Sequence, residues 1–323
     1  MSALTHLKAV AMLLLVASPV SAQSVTLKFA HEAPQTAIKG QTADKFAELV
    51  AERSNGDIVV EVFPGGQLVP TKEEIRAAAR GQVDFIAPFT TYYSAINPDW
   101  DIFYQPMLFD DVEEAMEVFS GSVGEKLLGT LENRGLVGLG IWHDGPVYVF
   151  TRDEPVTSAD GLAGKKIRVF PSKPLESFLE KVGASPVSMP ATEVYLALQQ
   201  GTVDGVLTTP TYAAPAQWHE VLKGMAPTIM GVGGYGVSVS KRSWEKLTAE
   251  QQDIIRAAMT DAVAWNREQA LENIEKSVTT LVRNGVVLGA MDAAAVEQWE
   301  AKALEVYAEQ SNAVEEMIRS MRD

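Results

Sequence analysis

The sequence contains no cysteine in its 323 residues. This absence excludes disulfide bonds, thiol catalysis and metal sites built on thiolates, so noncovalent packing alone must stabilise the fold. Basic residues are also scarce, because 27 Lys and Arg stand against 42 Asp and Glu, which gives a formal net charge of −15. Nucleic acids and anionic membranes attract proteins with excess positive charge, and we therefore expect neither as a partner.

Long apolar stretches are rare as well, and the one at the N-terminus is too short to span a membrane. The run Ala9–Ala17 follows the charge of Lys8 and precedes the small residues Val20-Ser21-Ala22. This order is typical of a secretory signal peptide, whereas a spanning helix needs about 20 apolar residues. We expect residues 1–22 to be a signal peptide that is cleaved after Ala22. A bacterial lipid anchor would need a cysteine there, so the sequence predicts export to the periplasm without direct membrane anchoring.

The rest of the chain alternates strand-like and helix-like segments, which is typical of an α/β fold. A unit of fifteen residues recurs 120 positions later with six identities: Pro70, Glu73, Ala77, Gly81, Val83 and Asp84 match Pro190, Glu193, Ala197, Gly201, Val203 and Asp204. Two generic helix–turn–strand units would give the same pattern. The shared spacing nevertheless favours two similar lobes, with a ligand cleft at the ends of their strands.

A long helix is predicted in the C-terminal part. The segment Thr248-Ala-Glu-Gln251 has the pattern of a capping box, and no Gly or Pro interrupts the chain up to about Asn284. A helix of that length would measure on the order of 50 Å, which is longer than one small lobe. We expect it to strap both lobes, and residues 293–321 read as a last helical segment. A coiled coil is the alternative, but the apolar spacing is too irregular for it.

Catalytic and metal-binding motifs are present only in fragments. Residues 231–236 fit the GxGxxG pattern, but a strand-like segment follows where a dinucleotide site requires a helix. The three histidines after the signal peptide, His31, His143 and His219, lack the spacing of metal sites. We therefore expect no catalytic residue, no metal and no cofactor, and binding is favoured over chemistry.

Two segments carry the most specific pattern. The first, Gly164-Lys-Lys-Ile-Arg168, places one arginine inside an otherwise apolar strand. The second is Glu193-Val-Tyr-Leu-Ala-Leu-Gln-Gln-Gly-Thr-Val-Asp-Gly205, and its glutamate follows the arginine by 25 positions. Together they strongly resemble the solute-binding proteins of tripartite ATP-independent periplasmic (TRAP) transporters, of the dicarboxylate-binding DctP type. The resemblance covers essentially the whole chain after the signal peptide.

The resemblance implies an α/β protein with a two-lobed periplasmic-binding-protein architecture, in which the long C-terminal helix straps both lobes. We expect residues 23–146 to form lobe I, completed by part of 237–323, and residues 147–236 to form lobe II. Residues 244–323 would then hold the spanning helix and the last helical segment. The resemblance also implies that the protein closes on a small organic acid and delivers it to the TRAP membrane permease subunits.

Arg168 is the expected carboxylate clamp. A guanidinium offers a planar fork of donors that matches a carboxylate, and it does not lose its proton. A structural arginine paired with a neighbouring acid is the alternative, but the resemblance favours the ligand role. It further implies a ligand contact at Thr208, where relatives commonly carry Asn, and pocket walls at Phe89, Thr90 and Ala191.

Four other side chains complete the predicted ligand-binding set. Trp142, Phe170 and Tyr212 flank the segments above, although aromatic residues at such places are often part of the core. Glu32 lies in the polar turn after the first strand.

The sequence departs from the family's pattern at one place. Many relatives carry a second arginine two or three residues after the glycine that matches Gly145, whereas this chain has Val147 and Tyr148. The loss of that cation favours a monocarboxylate with a less polar body, for which aryl or branched-chain acids are candidates.

Two other classes of function stay open at this stage. The same cleft would serve a binding protein of an ABC importer or a chemosensory receptor, which would differ only in the partner. An exported enzyme acting on an organic acid would need a base near Arg168, and His143 or Glu32 would be the candidates. No motif assembles such an active site, so the sequence favours the TRAP receptor.

Overall fold

The computed structural model describes residues 24–322, and the predicted signal peptide lies outside the described residues. In that part of the chain no helix is both long and apolar enough to cross a membrane. The strands form two separate sheets, which define the two lobes. In chain order they are β1 (Val25–Ala30), β2 (Ile58–Phe63), β3 (Phe85–Ile86), β4 (Leu136–Pro146), β5 (Tyr148–Thr151), β6 (Lys166–Val169), β7 (Ser185–Ser188), β8 (Gly205–Thr208), β9 (Gly224–Met225), β10 (Val232–Ser240) and β11 (Val287–Leu288).

The two sheets repeat one arrangement. The first has the strand order β2-β1-β3-β10-β4, and the second has the order β11-β9-β5-β8-β6-β7. Strands β2, β1 and β3 run parallel, and so do β7, β6 and β8. An antiparallel strand adjoins each set, because β10 pairs with β3 and β5 pairs with β8. Parallel strands end at the same edge of a sheet, and this edge is where ligands bind in such folds.

The two repeated sequence units make equivalent hydrogen bonds in the two lobes. Asp84 accepts a hydrogen bond from the backbone N–H of Lys28 at 2.7 Å, and Asp204 accepts one from the backbone N–H of Lys166 at 2.8 Å. The glycine three residues before each aspartate has a positive φ, 74° in the first lobe and 71° in the second. The duplicated segments therefore build the same helix end and the same sheet contact in both lobes.

One helix connects the lobes along their length. The helices, in chain order, are α1 (Ile38–Arg53), α2 (Glu74–Ala79), α3 (Val112–Ser120), α4 (Ser122–Gly129), α5 (Lys173–Lys181), α6 (Ala191–Gln199), α7 (Pro210–Ala213), α8 (Lys241–Trp244), α9 (Ala249–Arg283), α10 (Ala293–Tyr307) and α11 (Asn312–Arg322). The predicted capping box of Thr248 and Gln251 begins α9. This helix contacts α1 and β4 of the first lobe and α7 of the second. The prediction of a helix that straps both lobes is confirmed.

A buried asparagine fixes α9 to the first lobe. The Asn266 Oδ1 accepts a hydrogen bond from the backbone N–H of His143 at 2.6 Å. The Asn266 side-chain amide donates to the carbonyl of His143 at 3.2 Å and to the Thr42 hydroxyl at 3.1 Å. A polar side chain at a fully buried position is tolerated here because each of its polar atoms has a partner.

Two extended segments cross between the lobes beside each other. Strand β4 leads into β5, and β9 leads into β10. The Val147 N–H donates to the carbonyl of Gly231 at 2.8 Å, and the Met230 N–H donates to the carbonyl of Val147 at 2.8 Å. Gly145 and Gly231 have φ values of 152° and 150°, a conformation that residues with a Cβ rarely adopt. The crossing therefore depends on a glycine in each segment.

The structure places residues 232–236 in the first sheet, as part of β10, whereas the sequence-based boundary assigned them to lobe II. Glycine is unfavourable in strands, so this segment reads as a crossover in the sequence. Its glycines make room for rings: a Cβ on Gly233 would lie 2.9 Å from the Phe89 ring, and one on Gly236 would lie 2.5 Å from the Tyr93 ring. The GxGxxG pattern thus ends inside a strand, with no helix directly after it.

Candidate ligand-binding site

A small cavity of about 30 Å³ lies between the two lobes. The first lobe contributes Glu32, Thr71, Phe89, Tyr92, Asp144 and Tyr235 to its wall, and the second contributes Arg168, Phe170, Ala191, Thr208, Thr209 and Tyr212. Each lobe therefore supplies half of the residues of the wall.

Arg168 lies in a central strand of the second sheet. It is in β6, opposite Val187 of β7 and Val206 of β8. Its Nε and Nη2 both donate to the carbonyl of Met189, at 3.0 and 2.8 Å, and its Nη1 donates to the carbonyl of Leu207 at 3.2 Å. A guanidinium has five N–H donors, and these three bonds leave one on each terminal nitrogen. The backbone therefore holds the arginine so that two donors are available to a ligand.

The charge of Arg168 has no counterion in the described part of the chain. The side chain is only 2% exposed. Burial lowers the pKa of Arg168 to about 10, an effect that the nearby Tyr92 and Tyr212 oppose. The guanidinium is still cationic at neutral pH. Because a buried charge without a partner is costly, this site is prepared for an anion.

Asp144 is the second buried charged group of the wall. Its Oδ2 accepts a hydrogen bond from the Thr209 hydroxyl and its Oδ1 accepts one from the Thr211 hydroxyl, both at 2.6 Å. Burial raises the pKa of Asp144, and the hydrogen bonds from Thr209, Thr211 and Tyr235 oppose that rise. The two threonines belong to the second lobe and the aspartate to the first. This carboxyl therefore connects the lobes at the cavity.

Glu32 forms a buried ion pair with Lys39 behind the wall. The Lys39 ammonium also lies 4.2 Å from the centre of the Tyr235 ring, and it does not line the cavity. Glu74 is close by and fully buried, and its carboxyl oxygens accept no hydrogen bond from the described residues. Burial raises the pKa of Glu74, and the Glu32 charge adds to the effect. The lysine charge is thus already committed to the carboxyls of its own lobe.

Aromatic rings close the remaining side of the cavity. Phe89 of the first lobe and Phe170 of the second are in contact, with ring centres 4.9 Å apart. Tyr104 lies behind both, with ring centres at 5.4 Å from Phe89 and 4.9 Å from Phe170. The Arg168 guanidinium lies 5.8 Å from the centre of the Phe170 ring. These contacts join the lobes and exclude water from the arginine.

Six of the eight predicted ligand-binding residues line this cavity, namely Arg168, Thr208, Phe89, Phe170, Tyr212 and Glu32. The predicted wall residue Ala191 lines it too. Thr90 and Trp142 do not. The Thr90 hydroxyl is fully buried and hydrogen-bonds the Tyr104 hydroxyl at 2.6 Å, and Trp142 stacks on Phe29 in the first-lobe core with ring centres 5.5 Å apart. Both side chains therefore support the fold rather than the cavity wall.

The sequence-based reasoning missed five wall residues: Thr71, Tyr92, Asp144, Thr209 and Tyr235. Two of them adjoin residues that the sequence analysis singled out, since Thr209 follows Thr208 and Asp144 precedes Gly145. Thr71 lies at the start of the first repeated unit, where Ala191 starts the second. Comparison of the two units would have found Thr71.

Of the two groups expected to serve as a base in an enzyme, only Glu32 lines the cavity with Arg168. His143 does not line the cavity, and its Nε2 lies 2.9 Å from the Ser120 hydroxyl. Glu32 lines the cavity, but Lys39 already occupies one of its oxygens. Among the described residues no group of three or more His, Cys, Asp and Glu side chains could hold a metal ion.

Comparisons with known proteins agree with this arrangement. The family model described as bacterial extracellular solute-binding protein, family 7 (DctP), matches residues 29–313. The chain is 34% identical to the C4-dicarboxylate-binding periplasmic protein DctP of Rhodobacter capsulatus over 84% of this chain and 82% of that protein. It is 28% identical to the 2,3-diketo-L-gulonate-binding periplasmic protein of Escherichia coli over 83% of this chain and 81% of that protein. A TRAP periplasmic solute-binding protein of Sulfurospirillum deleyianum with bound succinate superposes with a TM-score of 0.87 at 27% identity, over 93% of this chain and 98% of that chain.

Proposed function

Because the chain belongs to family 7 of the bacterial extracellular solute-binding proteins, we propose that it captures one small organic acid and delivers it to the membrane permease subunits of a TRAP transporter. The observation that carries the proposal is the buried, unpaired guanidinium of Arg168 at the cavity between the lobes. An anion is the ligand that such a group requires.

The carboxylate of the ligand binds Arg168 through the two N–H groups that the backbone carbonyls leave available. Two parallel hydrogen bonds to a guanidinium give orientation as well as affinity. Thr208 at the end of β8 lies beside this place and supplies a hydroxyl that can donate or accept. The remainder of the ligand then lies towards the first lobe, between Tyr92 and Tyr212.

Binding favours closure because the two lobes contribute equally to the wall. A ligand that contacts both lobes binds the closed form more tightly than the open form, and it shifts the population towards closure. Each crossing segment contains a glycine, Gly145 or Gly231, with a φ near 150°, which residues with a Cβ rarely adopt. We infer that closure rotates the lobes about this crossing, and that the permease recognises the closed form.

We also propose that the ligand is a monocarboxylate. Among the described residues, Arg168 is the single cationic side chain of the wall, and Lys39, which pairs with Glu32, does not line the cavity. The positions where many relatives carry a second arginine are occupied by Val147 and Tyr148. The named relatives bind a C4-dicarboxylate and a diketo sugar acid, so the family accommodates ligands with one or two carboxylates.

We propose that the protein acts outside the cytoplasm, after removal of residues 1–22. The cationic start, the short apolar run and the small residues before position 23 support cleavage after Ala22. Expression of the full chain in a bacterium with a Sec pathway should give a periplasmic product that begins at Gln23. N-terminal sequencing of that product tests the site, and a product that keeps Met1 would contradict the proposal.

Thermal unfolding of the processed protein against a library of organic acids tests the binding function. An acid at 100 times its Kd should stabilise the protein by about 2.7 kcal/mol. Arg168→Met keeps the length of the side chain but removes its charge, and it should abolish the stabilisation by every acid. Arg152→Met is the control, because Arg152 is a half-buried arginine that does not line the cavity. If Arg168→Met responds as the wild type does, the clamp is wrong.

Delivery to a permease and turnover of the acid are separate outcomes. In proteoliposomes that contain TRAP permease subunits, uptake of a bound acid should depend on this protein and fail with Arg168→Met. If the purified protein converts the acid to a product, it is an enzyme. If binding is intact and uptake fails with TRAP permease subunits from the same genome, another partner uses the receptor.

A further inference from the structure

We propose that Asp144 selects ligands with hydroxyl groups, so that the acid bound here is a hydroxylated monocarboxylate rather than a plain fatty acid or a dicarboxylate. The proposal rests on the proposed function, since it assumes that Arg168 holds the carboxylate. It concerns the side of the cavity formed by the first lobe, where two carboxyl groups and several hydroxyls line the wall.

The local backbone directs Asp144 to the cavity. In the pairing of β4 with β10, Gly145 is opposite Gly233 and His143 is opposite Gly234, so Asp144 is the extra residue of a β-bulge. A bulge changes the direction of a side chain relative to regular alternation, and bulges are frequent beside binding sites. Trp142, two residues earlier, packs into the core of the first lobe. The bulge therefore brings a carboxyl to the wall at a place where alternation would bury it in that core.

The Asp144 carboxyl has acceptor capacity left for a ligand. An ionised carboxylate offers about four acceptor directions. Thr209 and Thr211 use one on each oxygen, and the Tyr235 hydroxyl uses a third. About one direction stays available at the cavity. Because a carboxylate has only acceptors, the ligand atom that fills it must be a donor, and a hydroxyl is the donor that an organic acid most simply carries.

Glu32, Tyr92 and Tyr212, which also line the cavity, can likewise accept a hydrogen bond from a ligand hydroxyl. Glu32 gives one oxygen to Lys39, and in the described part of the chain no donor reaches the other, Oε1. The hydroxyls of Tyr92 and Tyr212 line the cavity without a side-chain partner among the described residues and can accept from a ligand hydroxyl. A methylene chain would leave these groups without hydrogen bonds once the lobes exclude water, which is costly.

A second ligand carboxylate is disfavoured on the first-lobe side. It would face the carboxyls of Asp144 and Glu32. Among the described residues near these carboxyls, Arg168 already holds the first carboxylate, and Lys39 is paired with Glu32 and does not line the cavity. Like charges at close range in a water-poor cavity repel strongly. The first-lobe side of the cavity thus rejects a dicarboxylate by charge and accepts a hydroxyl by hydrogen bonding.

Four six-carbon acids separate the effect of ligand hydroxyl groups from the effect of a second ligand carboxylate. Hexanoate has one carboxylate and no hydroxyl, gluconate has one carboxylate with hydroxyls, adipate has two carboxylates without hydroxyls, and glucarate has both features. Calorimetric titration of the processed protein should give the tightest binding for gluconate, by about 10-fold or more over each of the others. The four-carbon set of butyrate, threonate, succinate and tartrate repeats the comparison for a shorter chain.

Asp144→Asn tests the residue itself. The amide keeps one acceptor for a threonine hydroxyl, but it loses the charge and the acceptor directed at the ligand. We expect gluconate to bind about 10- to 100-fold more weakly, while adipate and glucarate bind equally well or better, so that the preference shrinks or reverses. Asp101→Asn is the control, because Asp101 is 4% exposed and does not line this cavity. It should leave the preference unchanged.

The outcomes distinguish this proposal from the proposed function. If the acids of both sets bind through Arg168 but hydroxyls confer no advantage, the receptor stands and the selection by Asp144 is refuted. If Asp144→Asn weakens the binding of every acid by the same factor, Asp144 serves to connect the lobes, and its selection of hydroxylated ligands is also refuted. If no acid binds, or if Arg168→Met has no effect on binding, the proposed function fails and takes this inference with it.

Discussion

Lowering the pH from 7 to 5 should destabilise the protein through two buried histidines. His31 and His143 are at most 1% exposed. Burial lowers the pKa of His31 to about 3, and the Lys39 ammonium adds to the effect. Burial also lowers the pKa of His143 to about 4, and Arg267 adds to it. Both rings are therefore neutral in the native state at pH 5, where an unfolded histidine is charged.

The sign and size of the effect follow from proton linkage. An unfolded histidine titrates near pH 6.5, so between that pH and the native pKa the unfolded state binds a proton that the native state does not. The free energy of unfolding then falls as the pH falls. From pH 7 to pH 5 the loss is about 2 kcal/mol for each histidine and about 4 kcal/mol for both. Glu74 and Asp144 act in the opposite direction, because their raised pKa values make the native state take up protons as the pH falls.

Substitution isolates the histidine contribution. Urea unfolding at pH 5, 6 and 7 should show that His31→Gln and His143→Gln each lose about 2 kcal/mol less than the wild type between pH 7 and pH 5. The double variant should lose about 4 kcal/mol less. Val50→Ala, which changes a fully buried apolar side chain of the first lobe, should shift the free energy equally at every pH. If the histidine variants keep the pH dependence of the wild type, the rings are protonated in the native state and the reasoning is wrong.

Three substitutions probe the attachment and the start of α9. Asn266→Ala should lower the free energy of unfolding by about 3 kcal/mol, because it leaves buried backbone groups of His143 without their partner. Thr248→Ala removes the helix cap and should cost about 1 kcal/mol. Arg53→Ala removes an ion pair with Asp261 that is 39% and 48% exposed, and it should cost less than about 1 kcal/mol. Urea unfolding at pH 7 checks all three, and a loss for Arg53→Ala as large as that for Asn266→Ala would contradict the ranking by burial.

The sequence predicted the architecture well because the architecture depends on local signals. The capping box at Thr248 and the run without Gly or Pro define α9 without any knowledge of the rest of the fold. The repeated unit predicted two lobes, and Asp84 and Asp204 make equivalent hydrogen bonds in them. The sequence did not reveal that residues 232–236 belong to β10, because the glycines of this strand are adapted to aromatic rings that come from distant parts of the chain.

The site was predictable where a motif marks it. The resemblance to the TRAP solute-binding proteins, rather than the place of Arg168 in an apolar strand, favoured a ligand role, and the structure shows its side chain at the cavity, held by backbone carbonyls. Trp142 shows the limit of this reasoning. An aromatic residue near a motif packs equally well in a core or at a pocket, and only the tertiary contact with Phe29 decides between them.

The character of the ligand beyond its carboxylate was not predictable, and Asp144 shows why. Alternation along β4 puts Asp144 on the same face as Trp142, so the sequence gives no reason to place the Asp144 carboxyl at the cavity. The bulge opposite Gly233 and Gly234 reverses the alternation, and it arises from pairing with a strand almost 90 residues later in the chain. A single irregularity in the pairing therefore adds a second carboxyl, beside Glu32, to a wall that also contains aromatic rings. The preference for a hydroxylated acid is a property of that pairing, and Asp144→Asn measures it directly.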